Sequence, residues 1–161
     1  MALLSAQPYQ YAGRSVDILM FDDFRERGDT LVTQALVLPG QRGAVIAGIE
    51  KLAQRFVIEL LTEQGSVLGD PTRGCPFMTD ANRNRWNSQQ DVNSSFNLSL
   101  VLIQSRMVQD QLPTDPPDER LRSATLTEII FTRDRVAITI EIQSVAGTDR
   151  VVLLPLRTTL R

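Results

Sequence analysis

The sequence predicts an α+β fold: two helices packed on a small antiparallel three-stranded sheet, with an N-terminal β-hairpin and arm. Three observations carry that expectation. Val45, Ile49, Leu52, Phe56 and Leu60 recur at the spacing of one helical stripe, with Glu50, Lys51, Gln54 and Arg55 mostly off it. Val92, Phe96, Leu100, Ile103 and Met107 repeat that spacing further on, and Leu98 and Leu102 widen the stripe. Val136, Ile138, Ile140 and Ile142 alternate with Ala137, Thr139, Glu141 and Gln143, the period of a half-buried strand.

Composition narrows the possible functions. The chain has 161 residues, enough for one domain with an extension. Residues 1–40 read as an N-terminal arm and hairpin, and residues 41–161 as the α+β domain. A hydrophobic fraction of 42% supports a real core. The net charge of -2 gives no general attraction to nucleic acid. Histidine is absent, which removes histidine bases and histidine metal ligands, and the lone Cys75 can form neither an internal disulfide nor a zinc site by itself. We therefore expect no cofactor. Residues 1–13 lack the basic start and apolar run of a signal peptide. No stretch approaches the roughly 20 apolar residues that cross a bilayer, so no membrane is expected as a partner.

The elements follow in order. Residues 1–13, with Pro8, Gly13, Tyr9 and Tyr11, read as an irregular arm. Residues 15–24 alternate as a strand, Gly28-Asp29 marks a turn, and residues 31–38 read as a second strand closed by Pro39-Gly40. The Arg27-Gly28-Asp29 triplet is a commonplace hairpin tip rather than an adhesion signal. The main helix follows, and Gly65 stands where a glycine could end it in the left-handed conformation. Residues 69–76 are rich in glycine and proline yet flanked by apolar Val67, Leu68, Phe77 and Met78, as in a shaped loop pinned to a core. Residues 79–90 read as a polar loop. Its Trp86 either covers an edge of the core or contacts a partner.

Asp91 is the expected cap of the second helix, which Pro113, Pro116 and Pro117 stop. Three strands close the chain: one ending in Ile129-Ile130-Phe131, one over 136–142, and one over 151–156. Pro155 assigns the last strand to an edge, because proline cannot donate a ladder hydrogen bond.

Enzymatic chemistry would have to rest on carboxylates, since Cys75 has no histidine beside which to act. Glu59 and Glu63, four residues apart, read as solvated charges on a helix face. A carboxylate pair using Glu59 or Glu119 would suit a cell-wall glycoside hydrolase, one alternative reading beside that of a generic assembly adaptor. The glycines match no phosphate-binding loop. Glu119-Arg120, directly after a double proline, reads either as a device that locks the helix-to-sheet junction or a subunit contact, or as an exposed turn.

These residues resemble a known family. The anchors are Leu61-Thr62-x-x-Gly65-Ser66, Pro71-x-x-Gly74-Cys75-x-Phe77, Glu119-Arg120, and a meander ending in Leu154-Pro155-Leu156. Over residues 46–156 their order is similar to the small baseplate wedge protein, or sheath initiator, of contractile phage tails. That family is often labelled lysozyme-like and has relatives in type VI secretion baseplates. The family's usual junction is Glu-Pro-Arg, where this chain has Pro117-Asp118-Glu119-Arg120.

The resemblance implies a non-enzymatic structural protein of the virion, assembled in the host cytoplasm, that links baseplate to sheath. It implies partners in the tail sheath subunit and in other wedge and hub proteins, with six copies around the tail axis. Its sheet would accept sheath strands so that the first sheath ring copies it. The residues expected at such contacts are Trp86, Glu119, Arg120, Ile130, Val151, Val152, Leu154 and Leu156. Independently of the resemblance, a short meander with an open edge is a template for strand addition.

Overall fold

The computed structural model describes residues 17–18, 26–27, 30–31, 45–132 and 135–157. The elements are β1 (Asp17–Ile18), β2 (Glu26–Arg27), β3 (Thr30–Leu31), β4 (Val45–Ile46), α1 (Ile49–Leu61), α2 (Pro76–Asn82), α3 (Gln89–Gln109), a 3-10 turn (Pro117–Glu119), β5 (Leu121–Phe131), β6 (Arg135–Ser144) and β7 (Asp149–Arg157). The fold is α+β, with three helices rather than two against the antiparallel sheet β5-β6-β7. None of the described helices is long and apolar enough to cross a membrane.

The main helix starts later than its stripe suggests. Val45 belongs to β4, which pairs antiparallel with β1, and the helix opens only after Gly48 at φ 63. From there the stripe behaves as expected: Leu52, Phe56 and Leu60 are fully buried. Gln54 is also buried, because its amide donates to Ile18 O at 2.9 Å and so ties α1 to β1. Gly65 does not end the helix. The helix ends at Leu61, where the extended backbone of Thr62 turns the chain out, and Gly65 takes its positive φ of 78 three residues later.

The loop after α1 closes on itself. Cys75 N donates to Thr62 O at 3.0 Å, and Gly65 N donates to Arg73 O at 2.9 Å. Gly74, at φ 88, passes so close that a Cβ there would stand 2.5 Å from Glu63 O. Only glycine fits this crossing.

Part of the expected polar loop is helical. Pro76 opens α2 at its first position, where the missing N–H is needed by nothing. Phe77 then points into the core and meets Trp86 at a ring-centroid distance of 4.7 Å. α3 is capped by Ser88 rather than by Asp91. Ser88 Oγ accepts from Asp91 N at 3.2 Å, and the Asp91 carboxylate accepts from Ser88 Oγ and Asn87 N, a reciprocal box with aspartate in its third position. Val92, Phe96, Ile103 and Met107 are buried, whereas Leu98 is 59% exposed and Leu102 is exposed as well. Ser95 and Ser99 complete the inner face in their place, because small side chains let α3 approach its neighbours.

The core lies between one face of the sheet and the helices. Ile138, Ile140, Ile142 and Leu154 from the sheet meet Leu52, Phe56, Phe77, Trp86 and Phe96. At the N-terminus, β2 pairs with β3 as a short antiparallel ladder, and the Gly28-Asp29 turn expected between them lies outside the described residues. β1 pairs with β4 rather than with a strand of the expected hairpin. The arm and the rest of that hairpin lie outside the described residues.

Candidate interaction surface

The sheet has two edges, and its hydrogen-bond parity tells them apart. Ser144 N donates to Thr148 O at 2.8 Å, which fixes the first bonded pair between β6 and β7. Bonded and non-bonded pairs alternate along an antiparallel ladder. With Ile142 opposite Arg150 and Ile140 opposite Val152, the backbones of Arg150, Val152, Leu154 and Leu156 are directed into β6. Val151, Leu153 and Pro155 direct theirs away from it. Pro155 therefore lacks its N–H on the outer side, where no intrachain bond is lost. Among the described residues no strand pairs with this outer edge.

The β5 edge differs. Thr132 N donates to Arg135 O, so Ile130 is bonded to β6 and Ile129 faces outward. Ile129 O is already taken, by Gln89 Nε2 at 3.2 Å from the start of α3. β5 also carries two register irregularities, between Leu121 and Ser123 and between Leu126 and Glu128. Bulges twist an edge away from further pairing. β5 is thus guarded by shape and by α3, and among the described residues β7 is the regular, open edge.

Side chains divide accordingly. Val151 is 55% exposed and Ile130 45% exposed on the outer face of the sheet, with the small Ala137 between the two edge strands. Leu154 is 1% exposed and belongs to the core, and Val152 and Leu156 pack partly against it. Those three were expected to touch a partner. The alternation of β7 turns their side chains inward and their backbones toward β6, so Val151 and Leu153 carry the outward groups instead. Trp86 resolves in the same direction: at 1% exposed it covers the core and offers no surface to a partner.

Glu119 and Arg120 are adjacent but serve different partners. Glu119 is buried, accepts from Lys51 Nζ at 2.7 Å and from Gly48 N at 3.2 Å, and so fixes the start of α1 to the start of the sheet. Arg120 donates to Asp115 O at 2.9 Å and Pro113 O at 2.8 Å, which holds the proline-rich segment. The pair locks the junction as two separate clamps.

A second carboxylate departs from its expectation. Glu59 is not solvated. It is buried and accepts from Arg73 Nε and Nη2 at 3.0 and 2.6 Å and from Arg106 Nη1 at 3.3 Å. Arg106 also donates to the carbonyls of Gly74 and Thr72, so this cluster ties α1, the loop and α3 together. Sequence spacing alone offered no signal for it. Among the described residues no cluster of three or more potential metal ligands occurs.

Comparison with protein-family models, with curated proteins and with solved structures finds no match for this chain.

Proposed function

We propose that this protein is a non-enzymatic component of a contractile tail baseplate that links baseplate to sheath and nucleates the sheath by accepting a strand. The observation that carries the reading is the outer edge of β7, regular and open beside a guarded β5. An incoming extended segment would bond to the N–H and C=O groups of Val151 and Leu153 and to Pro155 O. Such main-chain bonds supply affinity with little demand on side chains. Pro155 sets where the pairing must tolerate a missing donor, and the exposed apolar Val151 on the outer face of β7 gives the added strand something to cover. The order of the loop, the junction and the meander in the sequence adds the resemblance to sheath initiators. The segment's donor would be the tail sheath subunit, and the clamped helical side would face the wedge and hub proteins.

The hydrolase alternative finds less support. Glu59 is committed to two arginines and Glu119 to a lysine and a backbone N–H. Those are environments that hold a carboxylate for structure. Two assays together test the proposal. The purified protein is expected to leave a cell-wall suspension turbid, and to shorten the lag of polymerisation when added to a purified tail sheath subunit. Clearing of the wall, or an unchanged lag, would overturn the reading.

A further inference from the structure

On the side formed by α1, the loop and α3, a small pocket of about 90 Å³ opens among charged groups. Its charged lining is Arg55, Glu59, Arg73, Arg106 and Asp110. Three guanidinium groups against two carboxylates leave the pocket one net positive charge. Glu59 at its base holds two of the guanidiniums in place. Arg73 spends Nε and Nη2 on Glu59 Oε1, which leaves the donors of Nη1 for another acceptor. Arg106 is fixed by Glu59 and by the carbonyls of Gly74 and Thr72. Arg55 lies one helical turn before Glu59, lines the same pocket, and makes no hydrogen bond or ion pair with the described residues.

We propose that this pocket binds a carboxylate carried by a partner protein. The planar guanidinium fork matches a carboxylate in two parallel hydrogen bonds. A monoanion balances the single excess charge. A phosphate dianion would exceed that charge. The fixed positions of Arg73 and Arg106 mean that little side-chain freedom remains to be lost on binding, which favours affinity. This site is independent of the sheet edge, and either can fail without the other.

The test follows the guanidinium Nε–H resonances of the isotope-labelled full chain by NMR. Acetate, sulfate and chloride are titrated separately at constant ionic strength. Acetate is expected to shift the Arg55 and Arg73 resonances to saturation in the millimolar range. Arg55→Gln, which breaks no hydrogen bond or ion pair among the described residues, should weaken acetate roughly tenfold, the worth of one charge-assisted hydrogen bond. Two short peptides then separate the sources: one with a glutamate side chain and an amidated end, one without acidic side chains and with a free C-terminus. Binding of either supports the site and names its ligand. Non-saturating shifts shared with chloride, tighter binding of sulfate than of acetate, unchanged affinity in Arg55→Gln, or acetate binding with neither peptide would each overturn the proposal.

Discussion

Lys51 and Glu119 meet at 2.7 Å with both side chains nearly removed from solvent, joining the first turn of α1 to the end of the 3-10 turn that leads into the sheet. Glu119 also accepts from Gly48 N, so one carboxylate positions both the cap and the first turn of the helix. Removing one partner of a buried pair leaves the other charge uncompensated, and Glu119→Ala should cost about 3–5 kcal/mol. A double-mutant cycle in denaturant should give Lys51 and Glu119 a coupling of roughly 1–3 kcal/mol, and Glu119 and Arg120 less than about 0.5. Equal couplings would mean that the adjacent pair acts as one unit after all.

Gly74 is the tightest point of the loop. Gly74→Ala combines a positive φ, which costs roughly 1–3 kcal/mol, with a Cβ forced against the backbone of Glu63 and Thr62. A total of about 3 kcal/mol or more is expected. Gly65→Ala, whose nearest neighbour would be Pro71 O at 3.5 Å, should lose only about 1–2 kcal/mol from its conformation. Thermal melts of the two variants decide, and similar shifts would show that the crossing at Gly74 can relax.

Glu59→Gln keeps the shape of the side chain and removes the charge that Arg73 and Arg106 share. We expect a loss of roughly 2 kcal/mol, below the 3–5 of a fully buried pair because the Arg73 side chain is 44% exposed. Glu63→Gln should stay within about 0.5 kcal/mol, as ordinary surface changes do. Chemical denaturation of both variants measures the difference, and equal effects would place Glu59 outside the cluster that its contacts define.

Cys75 is wholly buried, and burial pushes its thiol pKa above the ordinary value. The folded state therefore holds the proton more tightly than the unfolded chain does. The stability this contributes is complete below the unfolded thiol's pKa, and it is lost as the pH rises through the folded value. A thiol reagent at neutral pH should label the protein only as it unfolds. The melting temperature of the wild type should fall more steeply than that of Cys75→Ala at alkaline pH. Rapid labelling of the native protein would contradict the burial.

The parts of the fold that repeat at short range could be read from the sequence. The alternation from Val136 to Ile142 identified the central strand, and Pro155 identified an edge, because each depends on residues one or two positions apart. Helix ends were harder. Asp91 and Ser88 both suit a cap, and only the reciprocal bonds between them show which one starts α3. Glu59 could not be assigned by spacing, since Arg73 and Arg106 come from 14 and 47 residues away. The i, i+4 relation to Glu63 suggested a solvated face instead. Of the contact residues expected on β7, Val151 directs its backbone outward whereas Val152, Leu154 and Leu156 direct theirs into the sheet, because composition does not reveal which N–H groups point outward. That parity appears only once Ser144 and Thr148 are seen to bond.

The same parity separates two proline substitutions on β7. Val152→Pro would remove a donor used inside the sheet, whereas Leu153→Pro removes one on the outer edge, where Pro155 already sits without harm. Circular dichroism should therefore find Leu153→Pro folded, with a melting temperature close to the wild type. Baseplates carrying this variant should assemble normally and be counted by electron microscopy for attached sheath. Sheath formation on them should be lost, while Ile129→Pro at the guarded β5 edge, if folded, should leave it intact. Full-length sheath on folded Leu153→Pro baseplates would contradict strand addition at β7.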